Sequence, residues 1–260
     1  MSELKPCVII PVFNHGRVIA AIAESLVVKG LPVILLNDGS EPVCARELER
    51  VGDKHETVIL LSFDSNRGKG AVVCDGLNYA FEKGFTHALQ VDADGQHNLD
   101  DVAAFLDMMQ KCPSAVISGW RPYSDLPKGR RYGRMFTDMW VCIHTLSRDI
   151  KDSMCGYRLY PLAQTCQLLA KHRISKRMDF DTDILVRLYW QGLLVKHVPT
   201  HISYGEDMPS HFALLADNVR ITYMHTRLFL GMLWRLPSLF LRKIHDADAL
   251  NNRSDNGCSS

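Results

Sequence analysis

The chain has 260 residues, 47% of them hydrophobic and 23% charged, with a formal net charge of +1. Those proportions fit one large globular domain and speak against a protein that coats nucleic acid. The opening Met1-Ser2-Glu3-Leu4-Lys5-Pro6 lacks the apolar core of a secretion signal, and no run reaches the ~18 apolar residues of a membrane helix. Eight irregularly spaced cysteines without a Cys-x-x-Cys pair fit buried thiols in a reducing compartment, so a cytoplasmic location is expected.

From the start, β-rich runs alternate with amphipathic stretches, the pattern of βαβ units around a parallel sheet. Strands are predicted near Cys7–Val12, Val33–Asn37, Val58–Ser62, His87–Val91 and Ala115–Ser118. Val18, Ala21, Ile22 and Leu26 fall at helical spacing after the first, as do Ala71, Cys74, Leu77 and Phe81 after the third. Gly30 and Gly84 sit where those helices should stop. The expected fold class is α/β, a Rossmann-like, mostly parallel sheet flanked by helices.

Loops leaving the strand ends carry the chemistry. Asp38, in Asn37-Asp38-Gly39-Ser40, stands where it can accept hydrogen bonds from a nucleoside, although Asp-Gly also reads as a plain turn. Asn66-Arg67-Gly68-Lys69-Gly70-Ala71 puts glycines and cations at a helix start, where free N–H groups favour an anion. It lacks P-loop spacing, and no Gly-x-Gly-x-x-Gly follows the first strand. Val91-Asp92-Ala93-Asp94-Gly95-Gln96-His97 sets two carboxylates behind an apolar strand, an arrangement that suits Mg²⁺ shared with a phosphorylated ligand.

In order, Pro11-Val12-Phe13-Asn14, Asn-Asp-Gly-Ser, Asn-Arg-Gly-Lys-Gly and Asp-Ala-Asp-Gly-Gln-His make the chain resemble family 2 glycosyltransferases of GT-A fold. Within them it is most similar to the polyprenyl-phosphate sugar synthases, over roughly Cys7 to Tyr204. The resemblance implies that Asp38 holds the nucleoside and that Pro11, Phe13 and Asn14 line its pocket. It makes Asp92 and Asp94 the Asp-x-Asp pair, joined by Gln96 around Mg²⁺ or Mn²⁺, with Lys69 among the nucleotide-sugar contacts. The domains expected are a catalytic unit over 1–204, an amphipathic helical extension over 205–245, and a disordered tail over 246–260.

The second half would supply the acceptor side. Ser118-Gly119-Trp120-Arg121 and Gly129-Arg130-Arg131-Tyr132-Gly133-Arg134 are similar to segments that hold the acceptor's phosphate, which points to Arg121, Arg131 and Arg134. Asp152-Ser153-Met154-Cys155-Gly156-Tyr157-Arg158 resembles the family's Asp-x-x-x-Gly-Phe-Arg, with Tyr157 in place of Phe. Met178-Asp179-Phe180-Asp181-Thr182-Asp183 resembles its acidic helix start, with Asp183 where Glu is common. Asp181 and Asp183 are the candidate bases if the acceptor is a sugar hydroxyl; an already ionised polyprenyl phosphate needs none.

Phe212, Leu215, Val219 and Tyr223 predict an amphipathic helix, followed by an apolar run through Trp234 that Arg235 and Pro237 interrupt. Such a tail suits a helix in the membrane interface, or one packed on the catalytic domain or a second subunit. His211-Phe212 and His225-Thr226-Arg227 resemble a tail of bacterial glycosyltransferases that accompany lipid acyltransferases. The expected function is inverting, metal-dependent transfer from a UDP- or GDP-sugar to a lipid-linked acceptor at the inner membrane face, with Asp94, Arg121 and Arg131 in the catalytic machinery. A transferase for a soluble acceptor and a non-catalytic sugar-nucleotide scaffold are the alternatives. No nucleic-acid partner is expected, and a homo-oligomer is left open.

Overall fold

Alternating apolar runs and amphipathic stretches fold into alternating strands and helices. In the computed structural model, which describes residues 3–125, 128–201 and 214–255, the first half comprises β1 (Pro6–Val12), α1 (Gly16–Val28), β2 (Val33–Asp38), α2 (Pro42–Lys54), β3 (Val58–Phe63), α3 (Lys69–Glu82), β4 (His87–Gln90), α4 (Val102–Lys111) and β5 (Val116–Trp120). The second half adds α5 (Lys128–Thr145), β6 (Arg158–Pro161), α6 (Leu162–Lys171), α7 (Phe180–Trp190), β7 (Val195–Pro199) and α8 (Leu214–Asp255). All the predicted strands form. β6 and β7 were not foreseen, because β6 opens on an arginine and β7 carries Lys196 and His197 in place of an apolar run.

The strands make one 7-stranded sheet in the order β3-β2-β1-β4-β6-β5-β7. β6 runs antiparallel to both β4 and β5, while β1, β2, β3 and β4 pair in parallel, as do β5 and β7. Alternation along each strand divides its side chains between two cores. Val8, Ile10 and Val12 of β1 pack with Ile19, Leu48 and Phe105 of α1, α2 and α4. Cys7 and Ile9 face the other way, toward Val73, Leu168 and Ile184 of α3, α6 and α7. Full burial of each large side chain contributes roughly 1.5–3 kcal/mol.

Two helical faces are rotated from their predicted positions. α1 buries Ile19, Ile22, Ala23 and Leu26, since the larger Ile19 takes the inward position that Ala21 was expected to fill. In α3, Phe81 is 45% exposed while Val73, Leu77 and Ala80 are fully buried.

α8 departs further. The predicted stripe through Val219 and Tyr223 is exposed, and Met224, Leu228 and Met232 turn inward against α5 and α7. The helix has two apolar stripes, and the one that meets other helices is the one buried. Arg235 and Pro237 were expected to interrupt it, yet it continues through both. Arg235 donates to the Gly231 carbonyl at 3.0 Å and Ser238 donates to the Arg235 carbonyl at 2.9 Å, bracing the turns on either side of the proline. It also extends to Asp255, past Asp246 where disorder was expected, through the helix formers Ala247, Ala249 and Leu250. Among the described residues no helix is long and apolar enough to cross a membrane. Tyr204, His211 and Phe212 lie outside the described residues.

Candidate active site

β1, β2 and β4 are parallel neighbours, so their outgoing loops meet at one edge of the sheet. Pro11 precedes the fully buried Val12 that ends β1, and Phe13 and Asn14 follow at the rim; Pro11, Phe13 and Asn14 are all partly buried. Asn14 takes a left-handed backbone at φ 60°, which asparagine tolerates. Its N–H donates to Ser40 Oγ at 3.1 Å and its Oδ1 accepts from the Glu41 N–H at 2.8 Å, tying the first loop to the second.

Asp38 is 3% exposed and pins the third loop from below. Its two oxygens accept from the N–H groups of Arg67 at 2.6 Å and Gly68 at 2.9 Å. Burial lifts the carboxyl above its ordinary value, although those bonds and the nearby arginines pull the other way. Gly39 beside it has φ +67°, and a Cβ there would lie 2.4 Å from the Ser65 carbonyl carbon, so a side chain is excluded. Asp38 therefore sits at this edge of the sheet with its oxygens already engaged by the loop that carries Lys69.

Lys69 begins α3 and points into an acidic cluster. Its ammonium is 2.8 Å from Asp92 Oδ1 and 2.9 Å from Asp181 Oδ2, joining the end of β4 to the start of α7. Burial works against this charge, but Asp181 and Asp92 outweigh it and hold Lys69 well above the ordinary lysine value. Burial likewise opposes ionisation of Asp92, while Lys69 and then His97 keep its carboxyl well below the usual range. Gln90 donates to Asp181 Oδ1 at 3.1 Å and accepts from the Tyr160 hydroxyl at 3.2 Å. Asp94 is partly exposed on the turn, with Oδ1 accepting from the Gln96 N–H at 3.0 Å. Gln90 and Tyr160 were missed in the sequence; the signal was a polar Gln in an otherwise apolar strand.

β6 runs backward, so the segment before it enters at this same edge. Gly156 lies so close that a Cβ would come within 2.6 Å of both Asp92 Oδ2 and Lys69 Nζ. Arg158 is fully buried and knits the segment together. Its guanidinium donates to the carbonyls of Asp181 at 2.6 Å and of Ser153 and Cys155 at 3.0 Å. This clamp was also missed, because a charge in a short strand reads as a surface position.

The predicted basic residues divide. Arg121 donates through Nε and Nη2 to the fully buried Asp152 at 2.7 and 3.0 Å. Arg134, expected to meet an acceptor phosphate, is 2% exposed and serves the scaffold instead. It donates to the carbonyls of Arg121 and Lys151 at 2.6 and 3.1 Å and lies 3.3 Å from Asp152. The reason is charge balance: Asp152, desolvated at the base of the segment, draws both arginines inward. Arg131 is exposed on α5, and the side chain of Arg130 lies outside the described residues.

Asp183 does not join Asp181. Two residues on a helix point to different faces, and Asp183 is fully buried on the far side, accepting from the Ser175 N–H at 2.8 Å, Arg187 Nε at 2.6 Å and Arg227. Asp183 is engaged away from the cluster, so of the two candidate bases only Asp181 faces it.

The donor set fits a hard divalent cation. Asp92 presents a carboxylate that Lys69 contacts at 2.8 Å, and Asp94 stands partly exposed two residues on. Among the described residues no three metal-ligating side chains converge. Mg²⁺ and Mn²⁺ sites completed by a ligand's phosphates need only one or two carboxylates. Asp92, Asp94 and Gln96 supply oxygens of that kind.

Comparison with known proteins agrees with this geometry. The chain is 23% identical over 251 residues to the dolichyl-phosphate beta-glucosyltransferase of Saccharomyces cerevisiae, covering 85% of this chain and 72% of that one. It is 23% identical over 224 residues to the UDP-N-acetylglucosamine–dolichyl-phosphate N-acetylglucosaminyltransferase of Methanococcus voltae, covering 79% and 88%. Among solved structures, glucosyl-3-phosphoglycerate synthase from Mycobacterium tuberculosis, in complex with Mn²⁺, UDP and glucosyl-3-phosphoglycerate, superposes with a TM-score of 0.60 at 12% identity, covering 89% of this chain and 79% of that one. Mannosyl-3-phosphoglycerate synthase from Rubrobacter xylanophilus gives 0.61 at 14%, covering 87% and 73%. The fold is GT-A. Residues 7–171 match the model of Glycosyl transferase family 2, and the chain belongs to that family, as an enzyme that transfers a sugar from a nucleotide sugar.

Proposed function

We propose that this glycosyltransferase moves a sugar from a UDP- or GDP-sugar to a polyprenyl phosphate or related lipid phosphate, with inversion at the anomeric carbon. The convergence of Lys69, Asp92 and Asp181 beside Asp94 carries this reading. The names of both curated relatives, each a dolichyl-phosphate sugar transferase, support the acceptor class. A structural neighbour's complex with Mn²⁺ and UDP supports the cofactor.

A departing nucleoside diphosphate carries negative charge that must be neutralised as the glycosidic bond breaks. Asp92, Asp94 and Gln96 would hold Mg²⁺ or Mn²⁺, which when bound supplies Lewis-acid stabilisation of the diphosphate. Lys69 sits beside them as a second cation. Asp181, oriented by Gln90, faces the sugar and positions it; an ionised acceptor phosphate attacks without surrendering a proton. Arg131, exposed on α5, meets that phosphate. Exposed Tyr132 and Phe136 beside Arg131, with Tyr223 and Trp234 on α8, support attachment to a membrane surface.

The test is release of nucleoside diphosphate from a panel of UDP- and GDP-sugars with Mn²⁺ or Mg²⁺ and a bacterial lipid extract. Lipid-dependent release that Asp94→Asn abolishes supports the proposal. Release that needs no lipid would be transfer to water and would count against the lipid acceptor, and release unchanged by Asp94→Asn would refute the metal site.

A further inference from the structure

At the opposite end of α7 from Asp181, a cavity of about 160 Å³ is lined by Leu168, His172, Arg187, Trp190, Gln191 and Arg235. We propose that this cavity is a second anion site, which takes a phosphate group either on a lipid headgroup or free in solution. Arg187 is six residues beyond Asp181, roughly 9 Å along the helix, so the cavity is separate from the donor site. The proposal does not rest on the acceptor reading above.

The charge around the cavity is unbalanced. Asp183, the carboxylate that Arg187 pairs with, is fully buried and shared with Arg227. Arg187 reaches it through Nε at 2.6 Å, and its two terminal nitrogens have no partner among the described residues. Arg235 lies over the Trp190 ring at 4.8 Å and gives one bond, at 3.0 Å, to the Gly231 carbonyl. It has no carboxylate partner among the described residues. Two guanidinium groups thus present unused donors to one shared cavity.

The titration of the neighbours agrees with that geometry. Burial and then Arg187 lower Arg235, and burial with Arg187, Arg235 and Lys171 lowers His172. Each group is under pressure from like charge, which a bound anion would relieve. The carbonyl ends of α6 and α7 also point this way, but they are engaged elsewhere. Arg242 donates to the carbonyls of Tyr189 at 2.7 Å and Leu193 at 3.3 Å, and the His172 N–H closes on Leu168 at 3.0 Å. The volume is well above the ~10–15 Å³ that admits one water, and planar guanidinium forks suit phosphate oxygens. Trp234, the neighbour of Arg235 on α8, is 87% exposed, so an acyl chain would find an apolar contact beside a bound headgroup.

The experiment titrates full-length protein, without sugar nucleotide, in two arms. Calorimetry with sodium phosphate against sodium chloride at matched ionic strength reads the free anion. Co-sedimentation with phosphatidylglycerol vesicles against phosphatidylcholine vesicles reads the headgroup. Arg235→Gln is expected to weaken binding at least tenfold in one arm, and that arm identifies the source. Gln191→Trp, which fills the cavity from an exposed position, should do the same without touching a cation; Lys171→Gln, outside the lining, should change neither arm more than twofold. No saturable binding in either arm, or equal losses from Lys171→Gln and Arg235→Gln, would overturn the proposal.

Discussion

Replacing Asp183 by Asn separates a structural carboxylate from a catalytic one. The side chain is fully buried and takes bonds from the Ser175 N–H, Arg187 and Arg227. Asparagine can still accept from Ser175, but its amide presents N–H to one arginine and leaves both guanidinium groups without a counter-charge. Removing one partner from a buried ion cluster costs about 3–5 kcal/mol. For a chain of this size each kcal/mol is worth roughly 2–4 °C, so the melting temperature should fall by roughly 6–20 °C. Calorimetric melts of wild type, Asp183→Asn and Asp181→Asn test this, with transfer rates measured well below each midpoint. Asp183→Asn should melt early yet turn over within about threefold of wild type, whereas Asp181→Asn should lose activity. A variant Asp183→Asn that melts normally and is inactive would refute the structural assignment.

Gly156→Ala places a methyl group where Asp92 and Lys69 now stand 2.6 Å away, so calorimetric titration should show nucleoside-diphosphate affinity falling at least tenfold. Arg134→Gln breaks the buried Asp152 cluster and should lose about 3–5 kcal/mol of stability; Arg131→Gln, at an exposed position, should melt like wild type and raise the KM for the lipid acceptor. His144 and His225 are buried 3.0 Å apart between α5 and α8, and burial pushes both down to about 4. Between that value and about 6.5 the unfolded rings bind protons that the folded ones do not. Stability is therefore full above pH ~6.5 and falls as the pH drops toward 4, by on the order of 3 kcal/mol per ring at most. Melts of wild type and His225→Phe across that range should show a flatter acid limb in the variant.

The strands of the first half were legible because each is an apolar run bounded by turn residues, and the sheet edge followed from their order. The Asp-x-Asp turn, Asp38 and Lys69 were legible as members of that edge. What Asp38 does there was not, since its bonds go to backbone N–H groups of a loop whose path no pattern specifies. Asp183 could have been separated from Asp181 by helical geometry alone, as positions two apart cannot share a face. Arg134 and Arg158 were opaque for a different reason: a charge is read as exposed unless its buried partner is known, and those partners lie on other segments.

The reach of Lys69 to Asp181 spans 112 residues of sequence. The edge formed by β1, β2 and β4 can assemble from local βα units, but Asp181 and Gly156 arrive only when β6 has threaded between β4 and β5. Closing so long a loop is slow relative to local pairing, so this contact belongs among the last to form. Until then Lys69 has Asp92 beside it but lacks Asp181, the second of its two anions. A chain stalled halfway therefore carries a lysine whose charge is only half matched, and a cluster completed by all three groups marks a chain that has finished folding.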